Sequence, residues 1–91
     1  MSGYRPAGAL RRETVQFIPD RLAKTGLFRS ELGLEGYDSL PLVGWALVAT
    51  FETDELPRLT VEPVVDDRCM GPVPLGDLEE EVGPLTLLEI V

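Results

Sequence analysis

A chain of 91 residues with 44% hydrophobic and 26% charged residues has room for one domain and one core. It contains no histidine and a single cysteine, Cys69. That excludes Ser-His and Cys-His nucleophilic catalysis, the usual zinc ligand sets and an internal disulfide.

Met1 to Leu10, with Gly3, Pro6 and Gly8, has no periodicity and reads as the start of an extended arm. The arm runs over residues 1–12, and residues 13–91 form one small domain. Arginines without an apolar stretch behind them do not make a secretory leader, so the expected compartment is the cytoplasm, or a virion if the chain is phage-encoded. Glu13 to Ile18 alternates, with Val15 and Phe17 on one face, and predicts a short strand. Pro19-Asp20 resembles a helix start and Gly26 a stop, which predicts a short helix between them. Glycines 26, 33 and 36 limit Leu27 to Tyr37 to brief helical turns.

Leu42 to Thr53 is rich in β-branched and aromatic residues and apolar on both faces, as a central strand is. Arg58 to Val65 alternates Leu59 and Val61 with Thr60 and Glu62. The two segments predict an antiparallel hairpin, 42–53 with 58–65. Pro63 cannot donate a ladder hydrogen bond, so the second strand is expected at an edge or bulged. Asp66 to Pro74 reads as a polar loop. Asp77 to Val82 predicts a short helix with Asp77 as N-cap, and Leu85 to Val91 a last strand, again apolar on both sides. The expected fold is α+β: a small, mostly antiparallel sheet of about four strands with one or two short helices, in an order like the split βαβ unit.

The net charge of −8 is unevenly placed. Residues 1–30 hold six basic and two acidic residues, for +4; residues 31–91 hold two basic and fourteen acidic, for −12. Arg5, Arg11 and Arg12 are therefore candidates for docking on an acidic surface, against the alternative of a frayed terminus facing water. A body at −12 repels phosphate, which disfavours nucleic acid as a partner. The longest apolar run, Leu40 to Ala49, is too short to span a bilayer, so no membrane is expected.

Chemistry-bearing candidates are few. Cys69 follows Asp66, Asp67 and Arg68, and two carboxylates oppose the thiolate that a reactive cysteine needs. Asp54-Glu55, Asp66-Asp67 and Glu79 to Glu81 lack the spacing of a calcium loop. No catalytic residue, cofactor or metal ligand is assigned. Trp45, amid Val43, Leu47 and Phe51, reads as core before it reads as a binding anchor.

Two β-segments with apolar residues on both sides, in a chain with only short helices to cover them, point to outside cover: another protein or a homo-oligomer. Leu88 and Ile90 of the last strand join the three arginines as candidate contact residues. The expected function is a non-enzymatic interaction module of the inhibitor, immunity or antitoxin-like, adaptor or regulatory-subunit kind. The competing expectations are a structural component of a larger assembly, such as a phage particle, whose arm docks on a neighbouring subunit, and a small carboxylate-dependent enzyme.

Overall fold

Among the described residues, five antiparallel strands and one helix follow each other in the order β1 (Arg11–Ser30), β2 (Ser39–Phe51), β3 (Arg58–Asp67), β4 (Gly71–Pro74), α1 (Leu75–Val82) and β5 (Leu85–Ile90). They make one sheet with spatial order β4-β3-β2-β1-β5. The computed structural model describes residues 11–52 and 55–91. The α+β class and the central hairpin stand as expected. The sheet has five strands where about four are expected, and the described residues hold one helix.

The largest departure is β1, a single 20-residue strand where a strand, a helix and helical turns are predicted. It pairs with β2 from Arg11↔Phe51 to Leu27↔Ser39. The helix-like stretch after Pro19 is a break in that pairing: Pro19 stands opposite Gly44 and Lys24 opposite Leu42. Residues 20–23 bulge from the ladder, and the Asp20 carboxylate closes the bulge by accepting the Leu22 N–H at 2.9 Å and pairing with Lys24 at 2.9 Å. With β1 unbroken, the split βαβ order does not apply. β4 replaces the second half of the predicted 66–74 loop. Its two prolines pair with Asp66 and Val64 at the sheet edge, where a missing donor leaves no gap in a ladder.

Gly44 has a positional reason. A Cβ there would lie 2.5 Å from the Ile18 carbonyl oxygen and 2.6 Å from the Phe17 ring, so only glycine lets β1 and the Phe17 side chain approach this closely. β2 shifts register against β3 at the same place, between Leu42 and Gly44. On one side of that shift, Leu40 and Leu42 join Phe28, Val65, Leu78 and Leu85 in the main core cluster. On the other, Ala46, Val48 and Val64 make a second, smaller cluster.

α1 links β4 at one sheet edge to β5 at the other, so it must cross the sheet. It begins at Pro74, whose fixed φ suits the residue before a helix, and Asp77 stands in its first turn rather than at the N-cap. Leu78 is its buried residue, and Leu75 and Val82 flank the same cluster. Gly83, at φ 86°, ends the helix in the left-handed region, and its N–H returns to the Glu79 carbonyl at 2.8 Å. The Glu79 carboxylate then accepts the Leu85 N–H at 2.9 Å and fastens the helix to β5.

Length decides what this helix can cover. Eight residues at 1.5 Å each make α1 about 12 Å long, while the thirteen residues of β2 run for about 43 Å. The helix shelters the Leu40–Leu42 end of β2. At the Trp45–Phe51 end, Ala46, Val48 and Ala49 are buried, and Trp45, Leu47 and Phe51 are half-buried.

Candidate functional site

The cross-strand register aligns an apolar surface at that far end. Residues directly opposite each other in an antiparallel pair share a face. Ile18, Trp45 and Pro63 therefore form one row across β1, β2 and β3. Gln16, Leu47 and Val61 form the next, and Glu13, Ala49 and Leu59 the third. Ile18 is 58% exposed, Leu59 59% and Val61 67%. Trp45 and Leu47, on the central strand between them, are half-buried. Trp45 packs against the main core cluster on one side, in keeping with the expectation of a core tryptophan.

The charges on this surface cancel. Arg11 opposes Phe51, with its guanidinium 4.4 Å from the ring centroid. Its Nη2 lies 3.5 Å from Glu13 Oε2, in an exposed pair of low stabilising value. One cation and one anion thus flank a neutral, apolar centre on a chain whose net charge is −8.

Arg12 has a different role from the docking one proposed by its place in the sequence. Arg11 and Arg12 lie in β1, so both arginines belong to the sheet. The Arg12 side chain is 15% exposed and donates from Nη2 to Glu62 Oε1 at 2.6 Å and from Nε to Asp77 Oδ1 at 2.7 Å, with Glu80 at 3.8 Å. Glu62 also accepts the Gly76 N–H at 2.9 Å. Three elements, β1, β3 and α1, meet at this guanidinium. The Glu62 hydrogen bond, with Asp77 behind it, outweighs burial and raises the Arg12 pKa. Burial pushes the Glu62 carboxyl up, but hydrogen bonds from Arg12 and Gly76 pull it further the other way, to a value below the ordinary carboxylate range. Arg12 is a structural clasp, with its charge engaged inside the molecule. Arg5 lies outside the described residues, as does Asp54.

Leu88 and Ile90 sit on edge strand β5, 57% and 38% exposed. They stand at the opposite edge of the sheet from β4 and are not among the three rows on β1, β2 and β3. β5 pairs with β1 only from Gly26 to Ser30, so the outer edge of β1 up to Lys24 has no strand partner among the described residues. That edge carries the features that discourage strand addition: Pro19, register breaks at Val15 and at 20–23, and the charges of Arg11, Glu13, Asp20 and Arg21.

A cleft of about 600 Å³ opens at the other end of the sheet, lined by Glu35, Tyr37, Asp66, Asp67, Arg68 and Cys69 among others. Its size suits a small molecule. Its groups do not converge: Asp67, 7% exposed, spends its Oδ2 on the N–H groups of Cys69 and Met70, which closes the β3–β4 turn. Among the described residues no group of three or more acids or cysteines is placed to hold a metal ion. No helix among them is long and apolar enough to cross a membrane.

The rows on β1, β2 and β3 are thus the surface that most needs an explanation, and comparisons with protein-family models, with curated proteins and with solved structures find no match that would supply one.

Proposed function

We propose that this chain is a non-enzymatic protein–protein interaction module that binds through the apolar face of β1, β2 and β3, with its acidic surroundings limiting which partners approach. The observation that carries this reading is the alignment of Ile18, Leu59 and Val61, each more than half exposed, around half-buried Trp45 and Leu47. Isolated exposed aliphatics are ordinary on protein surfaces, whereas contiguous ones mark contact sites. On this face Ala49 is buried and Trp45, Leu47 and Pro63 are half-buried, so the open apolar surface lies on the flanking strands, at Ile18, Leu59 and Val61. The absence of histidine from the sequence and the dispersed acids of the Asp66–Cys69 cleft favour binding over catalysis.

The test is capture from the native host with the wild type and Val61→Asp side by side, at low and high salt, read by mass spectrometry. Apolar contact predicts a species retained by the wild type at high salt and lost with Val61→Asp. If every captured species is indifferent to the substitution, the face is not the binding surface.

A further inference from the structure

We infer that the occupant of this face is a second copy of the same chain, stacked sheet to sheet about a two-fold axis. The inference rests on the interaction reading above and names its partner. The charge of the face argues for a copy over a strongly charged partner, and its shape and area are compatible with one.

Charge comes first. Arg11 and Glu13 neutralise each other, and the rows beyond them, from Gln16 to Ile18 on β1 and across β2 and β3 to Leu59, Val61 and Pro63, carry no charge. A basic partner finds no excess of acid here, and an acidic one no excess of cation. Two copies meet at this face without like-charge opposition in the contact, although each carries −8 overall. Shape and chemistry come next. A sheet face of aliphatic side chains is complementary to itself, and a two-fold contact asks for a self-complementary patch.

Area comes last. Burying a Val, Leu or Ile side chain removes roughly 60–120 Å² of apolar surface, from its 1.5–3 kcal/mol at about 25 cal/mol per Å². Ile18, Leu59 and Val61 are each only about 60% open, so with the open parts of Trp45, Leu47 and Pro63 they offer on the order of 150–350 Å² per copy. Doubled and bordered by Arg11, Glu13, Gln16 and Phe51, the contact comes to several hundred Å², at or below the roughly 1,000 Å² that a stable specific interface requires. A contact of this size makes a weak, reversible dimer rather than a permanent one.

Sedimentation equilibrium on the full chain tests this, over a range of concentrations and between about 50 mM and about 500 mM salt. The wild type is expected to dimerise, and the dimer to tighten severalfold as salt screens the repulsion between two −8 bodies. Val61→Asp is expected to weaken the dimer by at least about tenfold, since it carries an unpaired charge into the apolar centre. Ile18→Arg serves as the second variant, and circular dichroism confirms that both remain folded. A dimer that survives both substitutions overturns the inference, as does one that loosens with salt. A wild type that stays monomeric throughout also overturns it; in that case a host protein captured by the wild type and lost with Val61→Asp preserves the interaction reading, and its absence sinks both.

Discussion

Leu47 and Val61 stand directly opposite each other across β2 and β3, yet Leu47 is half-buried and Val61 is 67% exposed. The pair marks where the chain's own cover stops. Because Val61 contributes little burial within the molecule, Val61→Asp is expected to cost about 1 kcal/mol, the span of strand propensity between valine and aspartate. Leu78→Ala, by contrast, removes a side chain that is 1% exposed and is expected to cost about 3 kcal/mol. Urea unfolding of the two variants, at a concentration where the wild type is monomeric, measures both. A large loss with Val61→Asp would mean that the residue belongs to the fold and not to a contact surface.

The Arg12 clasp gives a second expectation. Glu62→Gln removes the charge that Arg12 Nη2 meets at 2.6 Å and leaves a part-buried guanidinium with Asp77 and Glu80 only. Losing a charge-assisted hydrogen bond of this kind is expected to cost about 2 kcal/mol. In a domain of this size that lowers Tm by roughly 8–16 °C, read by thermal melting. Arg12→Lys is not a conservative rescue, since an ammonium cannot donate to Glu62 and Asp77 with the fork geometry of the guanidinium.

Acid should act on the same clasp. The folded Glu62 carboxyl lies below its ordinary value, so the unfolded chain takes up the proton first as pH falls. The Glu62 contribution is complete above the unfolded value, about 4.3, and is lost as pH drops through the lower folded one. Asp20, held down by Lys24 and the Leu22 N–H, and Glu31, held down by Thr86 and Arg29, act in the same direction. Glu55, raised by its contact with Glu52, acts in the opposite one. Unfolding free energy measured from pH 7 to pH 3 should stay flat in the upper part of that span as far as Glu62 is concerned and then fall, with a shallower fall in Glu62→Gln.

Gly44→Ala probes the close approach of β1 and β2. The added methyl meets the Ile18 carbonyl oxygen, which is backbone and cannot swing aside as a side-chain tip can. The expected cost is about 1–3 kcal/mol, the range for overpacking at a site without slack. Gly71→Ala has open space around it, but its φ of 75° imposes a backbone cost of about 1 kcal/mol instead. Denaturant midpoints compared across the two variants separate steric from conformational cost.

The β2–β3 hairpin was legible because its residues alternate and its turn is polar. β1 was not. Pro19-Asp20 and Gly26 carry the local signature of a helix's two ends, and the alternation fails across 20–23 because those residues leave the ladder. Tertiary pairing with the whole of β2 overrides that local preference. β4 hides for a related reason: Pro72 and Pro74 argue against a strand, and only an edge position admits them. The apolar content of the β-segments is readable from the sequence, but the alignment of Ile18 with Val61 is not, since they come together only through the register of β1 and β3 on β2. The signal that did exist was the alternation of Leu59 and Val61 against Thr60 and Glu62, with Glu62 drawn inward to Arg12.

Trp45, the chain's one tryptophan, sits in the row between Ile18 and Pro63, so its fluorescence reports directly on whether this face becomes covered. As protein concentration rises, quenching of Trp45 emission by acrylamide should weaken and the emission should shift to the blue, with neither change in Val61→Asp. Emission and quenching that stay constant with concentration in the wild type, or that change identically in Val61→Asp, would contradict the account.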